Sequence, residues 1–132
     1  MAPATPVMML CTYRPKKGKE RRLRAILERH WTTLRDAGLA EPEVEPGLFR
    51  GTNRRGEPCF VETFAWKSAR AAETAHATPA VMALWGPIGE LAEEMDFIEV
   101  EPLARPTPRA KPKPQPKTAK RSATANGRRR RA

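Results

Sequence analysis

The chain has 132 residues and a formal net charge of +10, a length that fits one domain with a single modest core. The charge is unevenly placed: residues 104–132 hold 11 Lys or Arg and no acid, which leaves 14 basic residues against 15 acidic ones in the remainder. The two cysteines, Cys11 and Cys59, stand far apart and in no C-x-x-C arrangement, which excludes a disulfide scaffold or a cysteine-rich zinc site and fits a reducing compartment. No apolar run approaches a membrane span, and Met1 to Pro6 lacks the basic-then-apolar pattern of an export signal, so a cytoplasmic chain with no membrane partner is expected.

Val7 to Tyr13, VMMLCTY, is a short apolar run ended by a turn over Arg14 to Gly18, the pattern of a strand buried on at least one face. Leu23, Ile26, Leu27, His30, Trp31 and Leu34 then recur at helical spacing, and Gly38 closes that helix. Glu43 to Thr52 reads as a weaker strand at an edge or with a bulge, because Pro46 cannot donate to a ladder. Asn53 to Pro58 makes a turn. Cys59 to Trp66 alternates Phe60, Glu62, Phe64 and Trp66 with Cys59, Val61, Thr63 and Ala65, which predicts a strand paired with the preceding one as a hairpin.

Ser68 is placed as the N-cap of a short helix ending near His76, and Thr78 with Pro79 as the cap and first turn of another running to about Glu94. Gly86 and Pro87 inside the second helix predict a kink or restart. Asp96 to Leu103 closes the domain as a strand. The order β-α-β-β-α-β predicts an α+β, ferredoxin-like domain over residues 1–103, with a four-stranded antiparallel sheet and helices on one face. The other sheet face needs cover, and a second copy of the chain is the expected one, giving a homodimer.

Residues 104–132 change character: five prolines, alanine as the only apolar residue and no hydrophobic period predict a basic tail that stays disordered when free. Lys111, Lys113, Lys117, Lys120, Arg121, Arg128, Arg129, Arg130 and Arg131 are its candidate polyanion contacts, suited to sequence-independent, salt-sensitive binding of nucleic acid. A solubilising extension is the alternative reading.

Phe60 to Trp85, FVETFAWKSARAAETAHATPAVMALW, carries a Trp that ends a strand, a Ser that opens a helix, a His near the helix end and a Thr-Pro start to the next helix: Trp66, Ser68, His76, Thr78 and Pro79. In this stretch the sequence resembles the antibiotic biosynthesis monooxygenase family of dimeric α+β barrels, and with the flanking element order the resemblance spans roughly Val7 to Leu103. It implies paired sheets, a pocket between sheet and helices, and oxidation of an electron-rich aromatic or polyketide-like substrate without metal or flavin. It also argues against haem degradation: the related haem-degrading group places an Asn in the first strand, a Trp near the end of the short helix and a His in the next helix. This chain has no Asn in that strand, Ala75 at the Trp position and Trp85 at the His position.

Two side chains are candidate catalytic groups. An imidazole can take up and release a proton at physiological pH, so His76 would serve as a proton shuttle, or else would cap its helix end. Glu62, in mid-strand beside aromatics, would serve as a base if buried, or else would pair with a basic group or face solvent. Phe64, Trp66, Trp85 and Trp31 line a pocket or fill the core, with the dimer interface a further alternative for Phe64 and Trp66. His30, on the apolar stripe of the first helix, reads as a satisfied core histidine. The basic cluster of Lys16, Lys17, Lys19, Arg21, Arg22 and Arg24 would bind an anion at the helix start or form a solvated face. Two histidines and no clustered acids give no metal site, no cofactor is expected, and there is no nucleotide-binding loop or hydrolase spacing.

Overall fold

Val7–Pro15 forms β1, the strand on which the sheet is built: it lies between Pro58–Trp66 (β3) and Ala92–Val100 (β4), with Gly47–Thr52 (β2) beyond β3, in the order β2-β3-β1-β4. Every neighbouring pair is antiparallel. This computed structural model describes residues 5–103, and the fold is that of the unit ending at Glu101. The basic-tail contacts expected from Lys111 to Arg131 lie outside the described residues. No helix among the described residues is long and apolar enough to cross a membrane.

Helices cover one sheet face. Glu20–Asp36 (α1) buries Leu23, Leu27, His30 and Leu34, the three-and-four spacing that forms one stripe. Glu20 in its first turn suits the positive end of the helix dipole and pairs with Arg50 on β2, which holds the carboxyl below its ordinary range. The chain leaves α1 through Gly38, whose φ of 77° is a backbone state that glycine adopts without steric cost. Ala69–Ala75 (α2) is short and lays Ala71 and Ala75 in the core, while Pro79–Leu91 (α3) contributes Val81, Leu84, Ile88 and Leu91.

The structure corrects several boundaries. The second strand begins at Gly47 rather than Glu43, because the preceding residues form a turn in which the Glu43 N–H donates to the Glu41 carboxylate and Pro46 has no donor. The second long helix ends at Leu91 and the chain enters β4 at once at Ala92, so the last strand runs Ala92–Val100 and not to Leu103. Its early start is held by Glu94, which pairs with Arg14 on β1 across a register shift. No restart occurs at Pro87: α3 is continuous through it, anchored on both sides by Leu84 and Ile88. Ser68 and Thr78 occupy the expected cap positions, but neither side chain bonds a first-turn N–H; the Thr78 hydroxyl donates to the Thr74 carbonyl instead.

Among the described residues, no helix lies on the opposite sheet face. On β2, at one edge of that face, Phe49 is 58% exposed; on β4, at the other edge, stand the exposed Ile98 and Val100, with the half-buried Met8, Leu10 and Val61 on the two strands between.

Candidate functional site

The inward positions of β3 are Phe60, Glu62, Phe64 and Trp66, and those of β1 include Met9, Cys11 and Tyr13. Cys11 lies directly across from Glu62, so Tyr13, two residues on and on the same face, reaches diagonally to the carboxylate. Its hydroxyl donates to Glu62 Oε1 at 2.7 Å. From α1, His30 approaches with Nδ1 2.8 Å from Glu62 Oε2, and from α3 the Trp85 indole donates to His30 Nε2 at 2.9 Å. Tyr13, Glu62 and His30 are each no more than 3% exposed.

The proton positions in this chain follow from one member. Indole Nε1–H is a donor only, so His30 Nε2 must present its lone pair and the ring proton must sit on Nδ1, where it donates to Glu62. The Glu62 carboxylate therefore accepts at both oxygens, and all four polar side chains are satisfied. Burial, reinforced by the Glu62 charge, holds the Tyr13 phenol far above its ordinary value. The Cys11 thiol is pushed up to about 12 by burial and then by the Glu62 charge. Both groups keep their protons at neutral pH.

A cavity of about 320 Å³ opens beside this chain, between the sheet and the helices. Met9, Cys11, Tyr13, Met95 and Phe97 form its sheet side; Trp66 closes the end of β3, and Ala72, His76, Trp85, Ile88 and His30 form the helix side. A largely apolar wall with a few polar groups is the usual make-up of a small-molecule site. The His76 ring sits edge-on to Trp85 with centroids 4.9 Å apart, and Trp66 meets Trp85 at 6.4 Å. Among the described residues no side-chain hydrogen bond engages the His76 ring, and only its backbone N–H bonds the helix, to Glu73.

The structure thus brings His76, Trp66 and Trp85 to one cavity and places Glu62 just behind it, in contact through Tyr13 and His30. Phe64 is buried in the core, edge-on to Trp66 at 5.1 Å and to His30 at 5.9 Å. Neither Phe64 nor Trp66 lies on the open sheet face, because the even-numbered positions of β3 all point to the helices, where both are buried. Trp31 packs against the core from outside the cavity, with the Arg35 guanidinium 5.2 Å from its ring. Sequence reasoning passed over Tyr13 and read His30 only as a core residue. The signal was present: Tyr13 and Glu62 are inward positions on strands that must pair, and His30 is the polar member of an otherwise leucine stripe. Lys16, Lys17, Arg21 and Arg22 line a separate open groove at the start of α1 together with Glu20 and Glu57. Among the described residues no group of three or more His, Cys, Asp or Glu could hold a metal ion.

No family model matches the sequence, and no curated protein matches it. Solved structures do. SnoaB, a cofactor-independent oxygenase from Streptomyces nogalater, superposes with a TM-score of 0.59 at 13% identity, over 79% of this chain and 99% of its own. A Chloroflexus aurantiacus structure assigned to the antibiotic biosynthesis monooxygenases gives 0.55 at 15% identity, over 76% and 96%. Rv0793 from Mycobacterium tuberculosis gives 0.57 at 18% identity, over 78% and 100%. At these identities the likeness is one of fold. In fold, the chain resembles the antibiotic biosynthesis monooxygenases.

Proposed function

We propose that the domain binds a small aromatic or polyketide-like molecule in the cavity between sheet and helices and oxidises it as a monooxygenase without a bound cofactor. The observation that carries this reading is the cavity itself, about 320 Å³ and walled by Trp66, Trp85, Phe97, Met9 and Met95. Such a wall strips water from a flat apolar ligand and orients it, and the remaining polar groups handle protons. His76, exposed at the wall and with no side-chain partner among the described residues, is the proposed shuttle that passes on to solvent the proton the substrate gives up. Removing that proton leaves an electron-rich anion, which reacts with dioxygen itself. The uncovered strip of Phe49, Ile98 and Val100 supports pairing with a second copy of the chain.

The test supplies aromatic hydroxy compounds to the full-length protein under isotope-labelled dioxygen and follows oxygen uptake and product mass. Incorporation of one labelled oxygen per turnover is expected. Compounds that bind without any oxygen uptake would refute the catalytic reading and leave the binding one.

A further inference from the structure

The polar groups at the cavity floor have a direction. Tyr13 lines the cavity and has a single proton, already given to Glu62 at 2.7 Å, so its oxygen has lone pairs and no donor left to offer a ligand. His30 has none to offer either: Nδ1–H is committed to Glu62 and Nε2 is occupied by the Trp85 indole. The Cys11 thiol, the remaining polar group of the β1 wall, is only a weak donor. A ligand carbonyl or ether oxygen pressed against this floor would find no strong donor, whereas a ligand hydroxyl would find the Tyr13 oxygen.

We infer that the cavity floor selects a ligand carrying a hydroxyl donor, a phenol or enol, and that Tyr13 relays that hydroxyl's proton to Glu62. The inference rests on the cavity reading above and names the substrate class for it. In the step, the ligand O–H bond breaks and its proton goes to the Tyr13 oxygen as the proton already on Tyr13 moves to Glu62 Oε1. Glu62 ends as a neutral acid and the ligand as an oxyanion, with charge conserved. His30 and Trp85 are positioning residues. By holding His30 with its proton on Nδ1, the Trp85 indole keeps Glu62 Oε2 occupied and leaves Oε1 as the atom that receives the relayed proton.

The same lock makes the inference testable without turnover. In Glu62→Gln the amide oxygen must face the His30 Nδ1–H, because the opposite orientation would require Nε2–H against the Trp85 N–H. The amide nitrogen then donates to the Tyr13 oxygen, and the Tyr13 hydroxyl must turn its own proton to the cavity. The floor changes from acceptor to donor.

Calorimetric titration with β-naphthol and with its methyl ether reads this directly on the full-length protein. The wild type is expected to bind the naphthol about tenfold more tightly than the ether, the scale of one hydrogen bond made or lost. Glu62→Gln is expected to reverse that order, and Tyr13→Phe, a second variant that keeps the ring, to bind both alike. Equal binding of the two compounds by the wild type, or an unchanged preference in Glu62→Gln, overturns the inference and leaves the cavity reading standing. Binding of neither compound overturns both.

Discussion

Replacing Glu62 with Ala removes the one acceptor shared by two buried donors. Tyr13 O–H and His30 Nδ1–H would lose partners at 2.7 and 2.8 Å, and a buried donor left unsatisfied costs about 1–3 kcal/mol. Lost packing of the side-chain methylenes adds to this, while removal of a buried carboxylate returns part of its desolvation cost. The net expectation is about 3–5 kcal/mol, a large fraction of the roughly 5–15 kcal/mol that holds a domain folded. Glu62→Gln keeps an acceptor for His30 and a partner for Tyr13, so its cost is expected near 1 kcal/mol. Urea unfolding followed by tryptophan fluorescence at fixed protein concentration separates the two. With a slope on the order of 1 kcal/mol per M, the Ala variant's midpoint should fall by about 3 M or more and the Gln variant's by about 1 M. An Ala variant within about 1 kcal/mol of wild type, or a Gln variant as unstable as Ala, would refute the hydrogen-bond chain as the organiser of this core.

Three further outcomes are expected. His76→Ala, at an exposed position, should leave stability within about 0.5 kcal/mol yet lower turnover on an aromatic substrate about a hundredfold; unchanged oxygen uptake would remove His76 from the chemistry. Ile98→Glu on the open sheet face should weaken self-association at least about a hundredfold by burying charge at the seam, and light scattering that finds the wild type monomeric at micromolar concentration would contradict the paired-sheet proposal. Cys11, raised by burial from 9.0 to about 12, keeps its proton in the fold and loses it when unfolded, so its contribution is fully present below pH 9 and is lost as pH rises toward 12. Tyr13 shifts the same way. Thermal melting should therefore fall across that window, and less steeply in Cys11→Ala; identical slopes would show that the Cys11 environment is misassigned.

The fold was legible because its signals are local. The alternation of Phe60, Glu62, Phe64 and Trp66 fixes a two-faced strand, and the leucine stripe of α1 fixes the helix that lies on it. The boundaries around Ala92 were not legible, since the switch from α3 to β4 without a loop depends on the pairing of Arg14 with Glu94 across strands far apart in sequence. Of the site, His76, Trp66, Trp85 and Glu62 could be named one at a time from residue type and position. What they do together could not, because Glu62 acquires its meaning from Tyr13, 49 residues away, and His30, 32 residues away. The same distance hid His30: a histidine on an apolar stripe reads as core until its partner across the sheet is known.

The central claim, that the cavity holds a flat aromatic molecule, is tested most directly by the tryptophan indole N–H resonances during titration with β-naphthol. Trp66 and Trp85 line the cavity and Trp31 does not, so the chain carries its own control. The expected result is saturable movement of the Trp66 and Trp85 signals with Trp31 still. Three unmoved indoles, or shifts confined to the groove between Arg14 and Arg22, would contradict the account.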